Sequence, residues 1–177
     1  WFNAAFEILD EYLEDADAKS IWAAIIWLLD EEQPERALEV IESHLKINTN
    51  SDVSTLNLMA FSMAEGRVRL SEAIEAAQKA VLLEPLNPAI IDTLGWAYFQ
   101  AGQMSKAKRH LERAHALDPK EPEIAWHLAS LYAEQGDIQS AQKVLKEVDD
   151  VFTLSERLRQ HIKRLNETLK IEVGQGA

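Results

Sequence analysis

The chain has 177 residues and no cysteine, with 30 acidic against 18 basic side chains and a formal net charge of −12. Without Cys there are no disulfides, thiolate metal sites or cysteine nucleophiles, and the acidity works against nucleic-acid binding and docking on anionic lipid, which rest on clustered Lys and Arg. Gly and Pro, at 6 and 5, are too scarce for a β-sandwich or a Gly-rich phosphate fold, whereas 5 Trp is a high count for so acidic a chain.

The chain opens at Trp1 in mid-helix register. Phe2, Ala5, Phe6, Leu9 and Leu13 recur at spacings of three and four, so residues 1–17 read as the second helix of a partial repeat, and the chain as a processed or trimmed piece. In residues 18–52, Ile21, Ala24, Ile25 and Leu28 form one stripe, and Ala37, Ile41 and Leu45 a second. The apolar run Ala23–Leu29 is too short to cross a bilayer, so no direct membrane insertion is expected. Residues 53–87 place Met59, Ala60 and Met63 on a first helix and Ala73, Ala77 and Ala80 on a second, before Pro85. In residues 88–121, Ile91, Leu94, Ala97 and Tyr98 share a face. Gly102 then suits the positive φ that ends a helix, and Ala107, Leu111 and Ala114 line the next helix up to Asp118-Pro119. Residues 122–153 repeat this plan. Leu154, Leu158, Ile162, Leu165 and Leu169 make residues 154–171 an amphipathic capping helix, with Thr153 and Glu156 as its capping box; residues 172–177 read as a flexible tail.

The units are copies at one period. Pro88 recurs as Pro122, Leu94 as Leu128, Tyr98 as Tyr132, Gly102 as Gly136, Ala107 as Ala141 and Leu111 as Leu145, each 34 residues on. Ala73, Ala80 and Pro85 precede Ala107, Ala114 and Pro119 by the same 34. One departure stands out: Met59 to Ala73 is 14 residues where Leu94 to Ala107 is 13, so the turn Glu65–Arg69 is expected to bulge. Gly95 and Ala107 are small enough to let the paired helices approach closely.

Leu94-Gly95-x-x-Tyr98, Ala107, Leu111, Ala114 and Pro119 resemble the tetratricopeptide repeat, and Leu128-Ala129-x-x-Tyr132, Ala141 and Leu145 resemble it again. Ile91 and Ala125 stand where the family has its leading Trp. The resemblance implies an all-α, right-handed superhelical solenoid with the first helix of each repeat lining a concave groove. Residues beside the core stripe then face the groove: Trp22, Ile26, Asn57, Phe61, Asp92, Trp96, Phe99, Trp126 and Ser130. A row of aromatics edged by carboxylates suits a protein or peptide segment as partner, with Trp as the hot spot. Relatives that clamp chaperone C-termini do so with Lys, Asn and Arg. Here the matching places hold Trp22, Asn57, Asp92 and Trp126, which argues against that ligand.

The histidines are His44, His110, His115, His127 and His161, none of them four residues from another, and they are expected to be solvated or half-buried. No HExxH, GxGxxG, GxxxxGK or GxSxG occurs, so no metal, cofactor or catalytic residue is expected and the chain reads as non-enzymatic. Lys106, Lys108, Arg109 and Arg113 lie on a second helix and read as a solvated outer face. Residues 1–65 hold 14 acidic and 3 basic residues, so −11 of the charge falls there, which favours a basic partner or head-to-tail self-association through the truncated N-terminal repeat.

The string Asp92–Gly102, with Leu56–Phe61 before it and the lengthened turn between, resembles the C-terminal repeats of proteobacterial envelope proteins. Some of those are outer-membrane lipoproteins that partner carboxyl-terminal processing proteases. The resemblance implies an adaptor bridging protease and substrate in the periplasm or at the outer membrane, with the cytoplasm as the other compartment open to such a chain. Two further readings stand beside it: a structural subunit of a pilus, secretion or cell-wall complex, and the repeat domain of a larger enzyme.

Overall fold

The computed structural model describes residues 25, 28, 33–44, 52–147 and 156–175. Among them are eight helices: α1 (Pro34–His44), α2 (Val53–Glu65), α3 (Leu70–Leu83), α4 (Pro88–Gln100), α5 (Met104–Leu117), α6 (Pro122–Glu134), α7 (Ile138–Lys146) and α8 (Glu156–Gln175). They form the expected right-handed superhelical solenoid. Helices α2–α3, α4–α5 and α6–α7 are antiparallel pairs stacked in order, and α8 packs on α6 and α7 at the end. The partial repeat 1–17, the capping-box residue Thr153 and the end of the tail lie outside the described residues.

Each boundary has a local cause. Asp52 caps α2, accepting from Thr55 N at 3.0 Å and Thr55 Oγ1 at 2.7 Å. Asn87 caps α4 by accepting from Ala89 N at 3.1 Å, and Pro88 and Pro122 occupy first-turn positions where no N–H is needed. Gly102 and Gly136 end α4 and α6 with φ of 72° and 74°; each turn is closed by the N–H of the following residue donating to the carbonyl of Tyr98 or Tyr132, at 2.9 Å in both. The lengthened turn after α2 is built differently. Arg67 and Arg69 take left-handed φ of 54° and 48°, a conformation that costs non-glycine residues energy. Val68 N donates to Met63 O at 3.0 Å and Arg69 pairs with Glu72 at 2.6 Å, which absorbs the extra residue.

Two large apolar clusters and a small third one of Ile91, Ala114 and Ile124 hold the stack. One of the large clusters lies between first and second helices and joins Leu56, Ala77, Leu94, Tyr98, Leu111, Leu128, Ala141 and Leu169. The other runs along the inner helices from Ile25 and Leu28 through Met63, Trp96 and Trp126 to Leu158 and Ile162 of α8. Helices α4 and α5 approach closely: a Cβ at Gly95 would sit 2.8 Å from Leu111 Cγ and Cδ2. The tyrosines tie consecutive repeats. Tyr98 Oη accepts from Gln78 on α3 at 2.8 Å, and Tyr132 Oη donates to Glu112 on α5 at 2.9 Å.

Gly95→Leu is expected to destabilise the fold by about 3 kcal/mol, since overpacking at a helix contact forces both helices apart. The double variant with Leu111→Ala should recover part of that loss in denaturant titrations. Independent, additive effects would contradict the contact.

Candidate functional site

The predicted groove residues come from three inner helices. Asn57 and Phe61 on α2, Phe99 on α4 and Ser130 on α6 are half-buried. Asp92 and Trp96 on α4 are only 4% exposed, and Trp126 on α6 is 8% exposed. These last three were expected on an open concave surface and are instead enclosed. The reason is aromatic packing. Trp96 stacks on Phe99 (ring centres 5.0 Å apart) and on His127 (4.0 Å), and meets Trp126 at 5.0 Å. Trp126 in turn stacks on His161 of α8 at 4.5 Å, so the capping helix closes over the end of the row. Trp22 and Ile26 lie outside the described residues.

His127 is a second departure, because it was expected to be solvated or half-buried. It is fully buried, and its Nδ1 lies 2.7 Å from Asp92 Oδ2. Glu65 reaches the same place from α2, accepting from Trp96 Nε1 at 2.9 Å and lying 3.9 Å from His127 Nε2. Burial by itself lowers an imidazole pKa. Here the Asp92 carboxylate, its hydrogen bond, the nearby Glu65 carboxylate and the charge of Glu123 outweigh burial and push His127 up to about 9. That upward shift favours the charged ring, which lies flat against the Trp96 indole face in cation–π geometry. One charge-assisted cluster thus joins α2, α4 and α6.

The signal for this pair was present in the sequence. Asp92 and His127 are 35 residues apart, one more than the period, and neighbouring inner helices face each other at that offset. His127 Nε2, Asp92 Oδ1, Ser62 Oγ and Asn57 Oδ1 are buried without hydrogen-bond partners. Among the described residues no group of three or more His, Asp or Glu is placed to hold a metal ion. Charge is also sorted by helix. The inner helices α2, α4 and α6 contain Glu65, Asp92, Glu123 and Glu134 but no Lys or Arg. The outer helices α5 and α7 carry Lys106, Lys108, Arg109, Arg113, Lys143 and Lys146.

This architecture is that of a tetratricopeptide-repeat solenoid, and residues 98–160 match the tetratricopeptide repeat family. The TPR repeat-containing protein PA4667 of Pseudomonas aeruginosa is 37% identical over 59 residues, which are 33% of this chain and 10% of that protein. Among solved structures, the fold is similar to TTC0263, a thermophilic TPR protein of Thermus thermophilus (TM-score 0.67, 18% identity, 89% of this chain and 88% of that one). It is also similar to the Yersinia enterocolitica type III secretion chaperone SycD, solved with a peptide of the translocator YopD (TM-score 0.59, 18% identity, 73% and 100%). MamA of Desulfovibrio magneticus is similar at TM-score 0.57 and 19% identity, over 88% and 78%. No helix among the described residues is long and apolar enough to cross a membrane.

Trp96→Ala is expected to lower stability by roughly 3–5 kcal/mol, the cost of emptying a large aromatic site, read as a shift in the denaturant midpoint. A shift within error would place Trp96 at the surface. A pH series tests the imidazolium. His127 binds a proton more tightly folded (pKa about 9) than unfolded (6.5). The stability this confers is complete below pH 6.5 and is lost as pH rises through 9, on the order of 3 kcal/mol at most. Asp92→Asn should flatten that decline, and an unchanged slope would refute the pairing.

Proposed function

We propose that this chain is a non-enzymatic protein-interaction scaffold that holds a segment of a partner protein along its concave side. One observation carries the reading: Phe61 and Phe99 keep part of their surface open beside a row of mutually packed aromatics. Preorganised aromatics lose little entropy on binding and supply most of the energy in peptide recognition. Asn57, one turn before Phe61, holds a buried acceptor without a partner, suited to a backbone N–H of the bound segment. Ser130 is less suited, because its hydroxyl already donates to Trp126 O at 2.8 Å. The acidic inner helices disfavour nucleic acid as the occupant. The peptide-bound SycD neighbour supports a peptide occupant for a solenoid of this shape.

Within that reading, the chain serves as an adaptor that brings a processing protease and its substrate together in the bacterial envelope. Support comes from the resemblance of the Asp92–Gly102 string to the C-terminal repeats of proteobacterial envelope proteins. The Asp92, Trp96 and Trp126 side chains act in this scheme as the fixed wall behind the contact rather than as the contact itself.

A photo-crosslinking amino acid placed at Asn57, Phe61 or Ser130 is expected to trap the same partner, and one at Glu75 on the outer face of α3 is expected to trap none. Trapping only from Glu75 would move the binding surface off the concave side.

A further inference from the structure

The edge of the solenoid where the α3–α4 turn meets α5 has two properties that the stack does not use. The first is exposed leucine. Leu82, Leu83 and Leu86 are 81%, 60% and 71% exposed, and Leu117 is 45% exposed. Leu83 and Leu117 occupy the same place in successive repeats, but Ala116 and Lys120 stand where Leu82 and Leu86 do, so the repeat itself does not demand those two leucines. The second is positive charge. Helix α5 bears Lys106, Lys108, Arg109 and Arg113 against one acid, Glu112, which Lys108 and Tyr132 already engage. The two features adjoin: Arg113 Nη2 donates to Pro85 O at 2.6 Å, and Leu117 follows Arg113 by one helical turn.

His110 lies within the field of these arginines. Its pKa lies below the ordinary imidazole value, through burial first and then through the charges of Arg109 and Arg113. Two acids share this edge, Glu84 exposed and Asp118 half-buried, and each makes a local hydrogen bond. Glu84 accepts from Asn87 Nδ2 at 2.7 Å, and Asp118 accepts from Lys120 N at 3.3 Å.

We propose that this edge docks an acidic amphipathic segment of a partner protein, its apolar side on Leu82, Leu83, Leu86 and Leu117 and its carboxylates on Arg109 and Arg113. The α5 cations repel a basic segment, and the leucines give a purely ionic ligand nothing to cover. The surface is separate from the concave side, so the two can be occupied at once, as an adaptor requires.

Two labelled helical peptides of equal length, one built of Leu and Glu and the other of Leu and Lys, test this by fluorescence anisotropy. The Leu/Glu peptide should bind, with affinity falling as salt rises. Arg109→Glu with Arg113→Glu should weaken it roughly tenfold or more. Leu82→Ser with Leu86→Ser should do the same, and these exposed changes leave the Arg113–Pro85 contact and the melting temperature intact. Lys163→Glu with Arg164→Glu on α8 carries the same charge change and should have little effect. Equal binding of the Leu/Lys peptide, or an equal loss with the α8 pair, would overturn the proposal. So would a salt-sensitive dimer in light scattering that disappears with the Leu82/Leu86 variant, since that would give the edge to a second copy of the chain.

Discussion

The inner face of this solenoid is organised around one buried charge pair. Asp92 and His127 meet at 2.7 Å inside an aromatic shell, on adjacent inner helices of successive repeats. Neither group is tolerable there alone: an unpaired carboxylate or imidazolium in that setting would be driven neutral or into solvent. Because they must stay together, α4 and α6 are held in one register, and Glu65 extends the constraint to α2 through Trp96. Apolar residues of equal volume could match the stability of such a pair, but they could slide. The ion pair is directional, and a surface built from stacked rings needs that direction to keep its shape.

Much of the fold was legible because its causes are local or periodic. Pro88 and Pro122 at helix starts, Gly102 and Gly136 at helix ends, and the small residues Gly95 and Ala107 at a helix contact each act within a few residues, and the 34-residue period repeats them. The bulged turn at Glu65–Arg69 followed from counting alone. The candidate site was less legible. Offsets from the core stripe put Asp92, Trp96 and Trp126 on one side, but did not reveal that the rings would stack on one another and on His161 of α8. A helical stripe specifies direction on one helix. It does not specify how far the neighbouring helix and the cap close over it. His127 was missed for a related reason: its partner is on the preceding repeat, and motif spacing within one helix cannot see across repeats.

The arrangement of charge follows the same division of labour. From α4 to α7 the inner helices carry acids without cations and the outer helices an excess of cations, whereas the outer α3 holds Glu72 and Glu75 against Lys79. Inner and outer sides of a solenoid are far enough apart for such fields to be screened from one another at physiological salt. Partners of different chemistry can therefore be offered different faces of one rigid rod, which is a physical basis for a scaffold. The rigidity comes from the inner cluster, where the stacked rings and the capping helix share a continuous apolar contact from Met63 to Ile162.

The protonation state of His127 is the most direct test of this account. Nitrogen-detected NMR of the imidazole at pH 7.5 should show both ring nitrogens protonated, with the Nδ1 proton shifted far downfield by its bond to Asp92. A neutral ring at that pH would remove the buried ion pair, and with it the constraint that joins the three inner helices.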